Sequence, residues 1–231
     1  MAEGVRVRFP LRLTVCAAGV FAVLCGLGAW QLHRLQWKEG LIAAREAAMA
    51  ADPVTMTGAE EDAAPKPFTP VRLAGEYVPG KALAVGPQSW KRESGYHLLA
   101  PLRSESGRIV MVNRGWIPHA MKTAPPPAPS GAVVVEGLLR GPGPRGWLTP
   151  ENDPAKGDWF TVDPKAMAAH LGLEDAAPWW VAANPGPDPA RLPVGGQGAE
   201  ELPNPHLQYA LTWFGIAAAL VAVYLVMLRR R

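Results

Sequence analysis

Two long runs of apolar residues lie near the two ends of the chain. The first, Leu13–Leu32, contains 20 residues without a charged side chain, and the second, Leu207–Leu228, contains 22. A helix of roughly 20 apolar residues crosses the hydrocarbon core of a bilayer. A signal peptide is the alternative for the first run, but its apolar region is typically ~7–15 residues long. The pattern therefore predicts two transmembrane helices, at 13–32 and 207–228, with a domain of residues 33–206 between them.

Between the two spans the apolar residues occur in short groups instead of long runs. Helical character is predicted to continue from the first span to about Met49, where Asp52-Pro53 stops it, and residues 58–67 are interpreted as a loop. Short β-prone segments, separated by Gly and Pro, follow at 68–78, 82–85, 96–102, 108–112, 132–139, 159–162 and 178–182. One short helix is predicted at 164–171, and residues 185–205 form a Pro- and Gly-rich connector to the second span.

These elements predict a membrane protein in which two transmembrane α-helices flank a mainly antiparallel β domain. The β domain is expected to be a sandwich or a small barrel that carries one short helix. The small residues Ala18, Ala22 and Gly26, spaced four apart, are expected to form the contact between the two membrane helices.

Basic residues outside the two runs indicate the orientation of the chain. Arg6, Arg8 and Arg12 precede the first run, and three arginines end the chain at 229–231. Because short basic segments stay in the cytoplasm, we expect cytoplasmic tails at 1–12 and 229–231 and a periplasmic central domain. The few residues before the first span leave no room for an Arg- and Ser-rich transit peptide, so we expect the bacterial inner (plasma) membrane.

Composition and motifs argue against several functions. Much of the net charge of +3 belongs to these membrane flanks, and no basic patch with interleaved aromatic residues predicts nucleic-acid binding. Both cysteines, Cys16 and Cys25, lie on opposite faces of the first span, so thiol redox chemistry and thiolate copper delivery are poor interpretations. The chain has no Gly-rich phosphate loop, GxSxG, HExxH or CxxC motif. The carboxylate pairs Glu60-Glu61 and Glu200-Glu201 are expected to be solvated, and no enzymatic activity is predicted.

Aromatic residues and histidines recur at the end of the first span and at the start of the second. Trp30, His33 and Trp37 are spaced i, i+3, i+7, and His206, Tyr209 and Trp213 repeat that spacing. A neutral imidazole can be an axial ligand to haem iron, aromatic rings offer flat walls, and Arg34 could pair with haem carboxylates. The alternative is an interfacial belt, since Trp, Tyr and Arg concentrate at membrane surfaces regardless of function. The spacing alone leaves both interpretations open.

Five blocks of residues, in order along the chain, resemble the surfeit locus protein 1 family of cytochrome c oxidase assembly factors. The most specific block is Asn113-Arg114-Gly115-Trp116-Ile117-Pro118. The other matching positions are Leu27-Gly28-Ala29-Trp30-Gln31 with Arg34 and Trp37-Lys38; Phe68, Pro70-Val71, Gly75 and Tyr77; Gly95-Tyr96 and Pro101-Leu102; Glu136-Gly137 and Arg140; and Asn204, His206, Tyr209-Ala210 and Thr212-Trp213-Phe214.

The resemblance implies a non-catalytic factor that helps to assemble the haem a centre of oxidase subunit I. Its partners would be subunit I, with haem a synthase as a further candidate. The family's proposed haem a ligand carries over to His206, whereas the family pattern requires no histidine at position 33. Together with the spacing of the aromatic residues, this predicts a haem a site at His206 that also includes Trp30, Arg34, Trp37, Tyr209 and Trp213. The alternative is a cofactor-free scaffold that stabilises subunit I during assembly.

Two further positions in these blocks carry expectations. Pro205 stands where many relatives have a second asparagine, and Pro suits the first turn of a helix. In the Arg114-Gly115-Trp116 segment, Gly115 is expected to permit a turn after a strand and Trp116 to cover the end of the sheet. The alternative is that this segment forms a surface that faces the membrane or the oxidase.

Overall fold

The computed structural model describes residues 11–63, 66–142, 146–147, 149–188, 190–196 and 204–230. The chain forms two compact units, one of residues 1–44 and 201–231, and one of residues 45–200. We call the first the helix pair and the second the barrel unit. Most of the predicted cytoplasmic tails, part of the predicted connector and the Glu200-Glu201 pair lie outside the described residues.

The elements alternate between a few helices and a run of strands. The helices are α1 (Leu11–Met49), α2 (Gly58–Ala63), α3 (Pro164–His170) and α4 (His206–Arg229), and a short 3-10 helix spans His119–Met121. The strands are β1 (Val54–Met56), β2 (Pro70–Tyr77), β3 (Leu83–Trp90), β4 (Glu93–Ser104), β5 (Ile109–Pro118), β6 (Ala132–Arg140) and β7 (Ala176–Ala183).

Helices α1 and α4 contain the two predicted spans. Both are long and apolar enough to cross a membrane, judged by length and composition. The predicted continuation of the first helix to about Met49 is confirmed. The boundaries of the membrane segments, at 13–32 and 207–228, stay predictions.

The strands of the barrel unit close on themselves. Strand β2 pairs with both β6 and β4, so that the order β2-β6-β7-β5-β4 returns to β2. Strand β1 adds to β2, and β3 adds to β4. The β1–β2 and β5–β7 pairs are parallel and the remaining pairs are antiparallel. The mainly antiparallel domain is confirmed, and of the two expected forms it is the small barrel.

The barrel has apolar side chains on both faces of its central strands. Val110 and Val112 belong to one buried cluster, whereas Met111 between them belongs to a second. Because successive side chains of a strand point to opposite faces, β5 is buried on both sides. The second cluster includes Trp159 and Met167, which places α3 against the outside of this sheet. Asp163 caps α3 by accepting a hydrogen bond from the Ala166 backbone N–H at 3.1 Å, as its position before Pro164 predicts.

Three expectations about the barrel unit are wrong. The loop assigned to 58–67 contains α2, so the described residues hold two short α-helices where one was expected. The physical reason is a helix start at Thr57 and Glu60, which have the spacing of a capping box: the Thr57 hydroxyl donates to the Glu60 carboxylate, and the Glu61 N–H donates the first hydrogen bond of the helix to the Thr57 carbonyl. The strand predicted at 159–162 is a single bridge from Trp159 to Val85, because Trp159 fills the second cluster instead of extending a ladder. The turn expected at Gly115 is absent, since β5 continues to Pro118.

Candidate functional site

Helices α1 and α4 pack in antiparallel fashion through small residues. Ala210 and Ala217 of α4 are almost fully buried, and the Phe214 ring packs against Gly28 of α1, where a Cβ would lie 2.6 Å from the ring. At the far end of the pair, the hydroxyl groups of Thr14 and Tyr224 share a 2.5 Å hydrogen bond. Close approach through small residues is expected between membrane helices.

The small-residue stripe predicted for this contact is wrong. Ala18, Ala22 and Gly26 are exposed, and a Cβ added at Gly26 would meet nothing within 4 Å. The buried positions of α1 include Leu24 and Gly28, which lie four residues apart and roughly 140° around the helix from the predicted stripe. A spacing of four identifies a helix face, but it does not say which face meets the partner.

His206 begins α4 and is joined to α1 by a side-chain hydrogen bond. Its Nδ1 atom lies 2.8 Å from Oε1 of Gln31, and both residues are partly buried. An amide oxygen can only accept a hydrogen bond, so Nδ1 carries the proton and donates it. With the proton on Nδ1, the lone pair of the neutral form is on Nε2, the atom that remains for a metal or another donor.

Gln31 is the site residue that sequence reasoning missed. It matched the family block, but it was not assigned to the site. The signal was its place as an uncharged polar amide at the end of the apolar run Leu13–Leu32. A polar side chain at the edge of a membrane span commonly bonds across a helix pair.

The predicted aromatic residues divide between the packed face and the exposed face of the helix pair. Trp213 is partly buried, on the same side of α4 as His206 and two turns further along. Trp30, Trp37 and Tyr209 are 57%, 46% and 53% exposed. The Arg34 guanidinium lies 3.9 Å from the centre of the Trp37 ring, so these two side chains form one stacked unit.

The helical repeat places Arg34 of α1 and Tyr209 of α4 on the same side of the helix pair. At about 100° per residue, Arg34 lies roughly 60° around α1 from Gln31, and Tyr209 lies roughly 60° around α4 from His206. In an antiparallel pair these two rotations lead to the same flank. The contact between Gly28 and Phe214 occupies the opposite flank. His206, Arg34 and Tyr209 therefore border one open side of the helix pair.

The charges and donors of this flank suit a ligand that brings most of its own metal ligands. Across the residues that the structure describes, no three His, Cys, Asp or Glu side chains come together as a metal site. Porphyrin iron takes four nitrogens from the ring and needs only one or two ligands from the protein. A single oriented histidine next to aromatic rings and an arginine fits such a group.

The Asn113–Pro118 block has a structural role in the barrel unit. Asn113 Oδ1 accepts the Gly115 N–H at 2.9 Å, and Gly115 has a φ of 131°. A Cβ at Gly115 would lie 2.3 Å from the Val194 backbone. Trp116 exchanges two 2.9 Å backbone hydrogen bonds with Val194. The block therefore ties the segment around Val194 to β5, and glycine is required because backbone occupies the side-chain space.

The three histidines of the barrel unit contribute to packing. His119 packs at a tilt against Tyr96, and His170 packs edge-on against Trp159. Burial, with a smaller contribution from the Arg140 charge, lowers the pKa of His97 to about 4. His97 is therefore neutral at physiological pH.

Glu61 is not the solvated carboxylate that was expected. It is 2% exposed, and its Oε2 accepts hydrogen bonds from the Ser106 hydroxyl at 2.5 Å and the Ser104 hydroxyl at 3.2 Å. Its backbone carbonyl accepts the Trp179 indole N–H. Oε1 is buried without a hydrogen-bond partner among the described residues. Glu61 therefore fixes α2 to the barrel.

Comparison with known proteins identifies the family. The chain is 31% identical over 217 residues to "Surfeit locus protein 1" of Mus musculus, covering 86% of this chain and 70% of the mouse protein. It is 31% identical to a "SURF1-like protein" of Monosiga brevicollis, with 90% and 84% covered, and 28% identical to one of Rickettsia conorii, with 91% and 88% covered. The profile of the SURF1 family matches residues 18–218. The chain belongs to the SURF1 family.

Proposed function

We propose that this chain is an assembly factor for cytochrome c oxidase that binds haem a at the edge of a membrane and assists its insertion into subunit I. Membership of the SURF1 family supports the assembly role, because relatives named surfeit locus protein 1 match this chain over most of its length. His206 is the proposed iron ligand. Haem a synthase is the second partner that we propose for this chain.

The hydrogen bond between His206 and Gln31 is the observation that carries the haem assignment. Histidines that bind metals usually donate their other ring N–H to an oxygen, which fixes the tautomer and the ring orientation. The 2.8 Å bond from His206 Nδ1 to Gln31 Oε1 has this form. Nε2 is thereby prepared as the ligand atom.

The remaining site residues contribute walls and charge to the proposed site. Trp213, Tyr209 and Trp30 offer aromatic surface, and exposure of the last two leaves that surface accessible. Arg34, held against Trp37, supplies a cation for a carboxylate. Haem a, when bound, would bring the iron and two carboxylates that these groups suit.

We place the protein in the bacterial inner membrane, with both termini in the cytoplasm and the barrel unit in the periplasm. Two helices of sufficient length and apolarity support this placement, as do the arginines at both ends of the chain.

The function is tested by complementation in a strain that lacks this gene. The wild-type chain is expected to restore the haem a content of assembled oxidase, whereas His206→Ala is expected to restore much less at equal protein level. Restoration of haem a content by His206→Ala to the wild-type level would refute the ligand assignment. If the purified wild-type chain also retained no haem, the cofactor-free scaffold would replace the proposal.

A further inference from the structure

A cleft of about 750 Å³ opens in the barrel unit between two proline-rich segments. One wall is the loop at 126–130, and the other includes residues 183–188 and 191–193. Tyr77, Arg114 and Arg191 line the cleft between them, together with Asp188. The volume is within the range of ~300–1,000 Å³ that is usual for small-molecule sites.

Arg114 is held in place by the loop. Its Nη1 and Nη2 atoms each donate a 2.9 Å hydrogen bond, to the carbonyl oxygens of Pro126 and Pro127. A guanidinium has five N–H donors in a fixed fork, so donors remain after these two bonds. The Tyr77 ring centre lies 5.7 Å from the Arg114 guanidinium. Arg114 is therefore preorganised, as a residue that orients a ligand should be.

A second arginine, Arg191, lines the same cleft. Burial lowers the pKa of Arg114, and the charge of Arg191 lowers it further against the opposing influence of Tyr77. Arg191 is exposed, and no hydrogen bond or ion pair involves its side chain within the part of the chain that the structure describes. Asp188 offsets one positive charge, but its carboxylate already accepts the Ala190 N–H at 2.9 Å. An oxyanion between the arginines would relieve their repulsion.

The walls restrict the kind of ligand that can be recognised. Prolines have no backbone N–H, so this loop cannot pair with a peptide strand in the manner of a sheet edge. The proline rings and the Tyr77 ring offer apolar surface, and the guanidinium groups and the Tyr77 hydroxyl offer donors. A ligand of this cleft must therefore be recognised by hydrogen bonds from side-chain donors to an anionic group and by contact with the apolar rings.

From this geometry we propose that the cleft at Arg114 and Arg191 binds an organic anion, in which a carboxylate or phosphate is joined to an apolar body. The two arginines hold the oxyanion, and the proline walls and Tyr77 hold the apolar part. This site lies within the barrel unit and does not depend on the haem proposal. Failure of either proposal leaves the other intact.

The test uses the full chain in lipid nanodiscs with 2-naphthoate as the probe, followed by saturation-transfer NMR. Its neutral counterpart 2-naphthylmethanol has the same ring and no charge. We expect 2-naphthoate to bind at least about tenfold more tightly than the alcohol, because hydrogen bonds to charged groups are each worth about tenfold or more. Arg191→Gln should weaken binding by a similar factor. Arg72→Gln is the control, since Arg72 is half-exposed on the same unit and pairs with Glu136.

Arg114→Gln should weaken binding as strongly, but it also releases the proline loop, so exposed Arg191 is the decisive position. Equal binding of 2-naphthoate to the wild-type chain, Arg191→Gln and Arg72→Gln would overturn the proposal. Equal binding of the alcohol would overturn the anion requirement. Displacement of 2-naphthoate by inorganic phosphate at equal concentration would overturn the requirement for an apolar body.

Discussion

The hydrogen bond from His206 to Gln31 can be removed with little change of shape by Gln31→Met. Methionine is also unbranched and of similar length, but its thioether is only a weak acceptor. Loss of the oxygen frees the tautomer and the rotation of the imidazole ring. We expect the haem a affinity of the purified chain to fall by about tenfold.

The expected tenfold loss of affinity follows from the type of hydrogen bond that is removed. Loss of the outer hydrogen-bond partner of a metal-binding histidine typically lowers affinity by about 10–100-fold. The partner here is a neutral amide at 2.8 Å instead of a carboxylate, and a neutral hydrogen bond contributes about 1 kcal/mol. The effect should therefore lie at the lower end of that range.

Absorption titration of the full chain with haem a measures the change. Gln208→Met is the matched control, because Gln208 is an exposed glutamine two residues beyond His206 on the same helix. Gln31→Glu should retain binding and lower the reduction potential of the bound haem, since a carboxylate is a stronger acceptor for Nδ1–H. Equal affinities of the wild-type chain, Gln31→Met and Gln208→Met would refute the assigned role of Gln31.

Three further changes test the packing of the two units. Gly28→Ala should destabilise the helix pair by about 1–3 kcal/mol through overpacking, whereas Gly26→Ala should not, and thermal unfolding followed by circular dichroism compares them. Glu61→Ala should destabilise the barrel unit by about 2–4 kcal/mol in denaturant unfolding, and an effect no larger than that of Glu60→Ala would contradict its buried role. Because the folded pKa of His97 is about 4 and its unfolded pKa is about 6.5, His97 stabilises the fold above pH 6.5. That contribution, on the order of 3 kcal/mol, is lost as pH falls through 4, and His97→Gln should flatten this part of the stability profile.

The long-range pattern of the chain could be predicted from sequence. Uncharged runs identified α1 and α4, and β-prone segments broken by Gly and Pro identified six of the described strands. Closure of the barrel could not be predicted, because it depends on the register that lets β2 pair with both β4 and β6. Local chemistry identified the helix at Pro164 through its cap, but the matching spacing of Thr57 and Glu60 was not used to predict α2.

Contacts between residues that lie far apart in the sequence could not be predicted from residue spacing. His206 and Gln31 are 175 positions apart, and only the pairing of α1 with α4 brings them together. The burial of Glu61 is equally non-local, because Ser104 and Ser106 belong to a hairpin formed by β4 and β5. Two adjacent carboxylates in a polar segment give the same sequence pattern whether their side chains are solvated or buried.

The most direct test of the central claim is the absorption spectrum of the full chain purified from cells that also produce the haem a synthesis enzymes. His33→Ala is the matched control for His206→Ala, since His33 is an exposed histidine near Gln31 on α1. We expect the haem a spectrum in the wild-type chain and in His33→Ala, and its loss or marked change in His206→Ala. A spectrum that is unchanged in His206→Ala, or that changes only in His33→Ala, would contradict the assignment of His206 as the haem ligand.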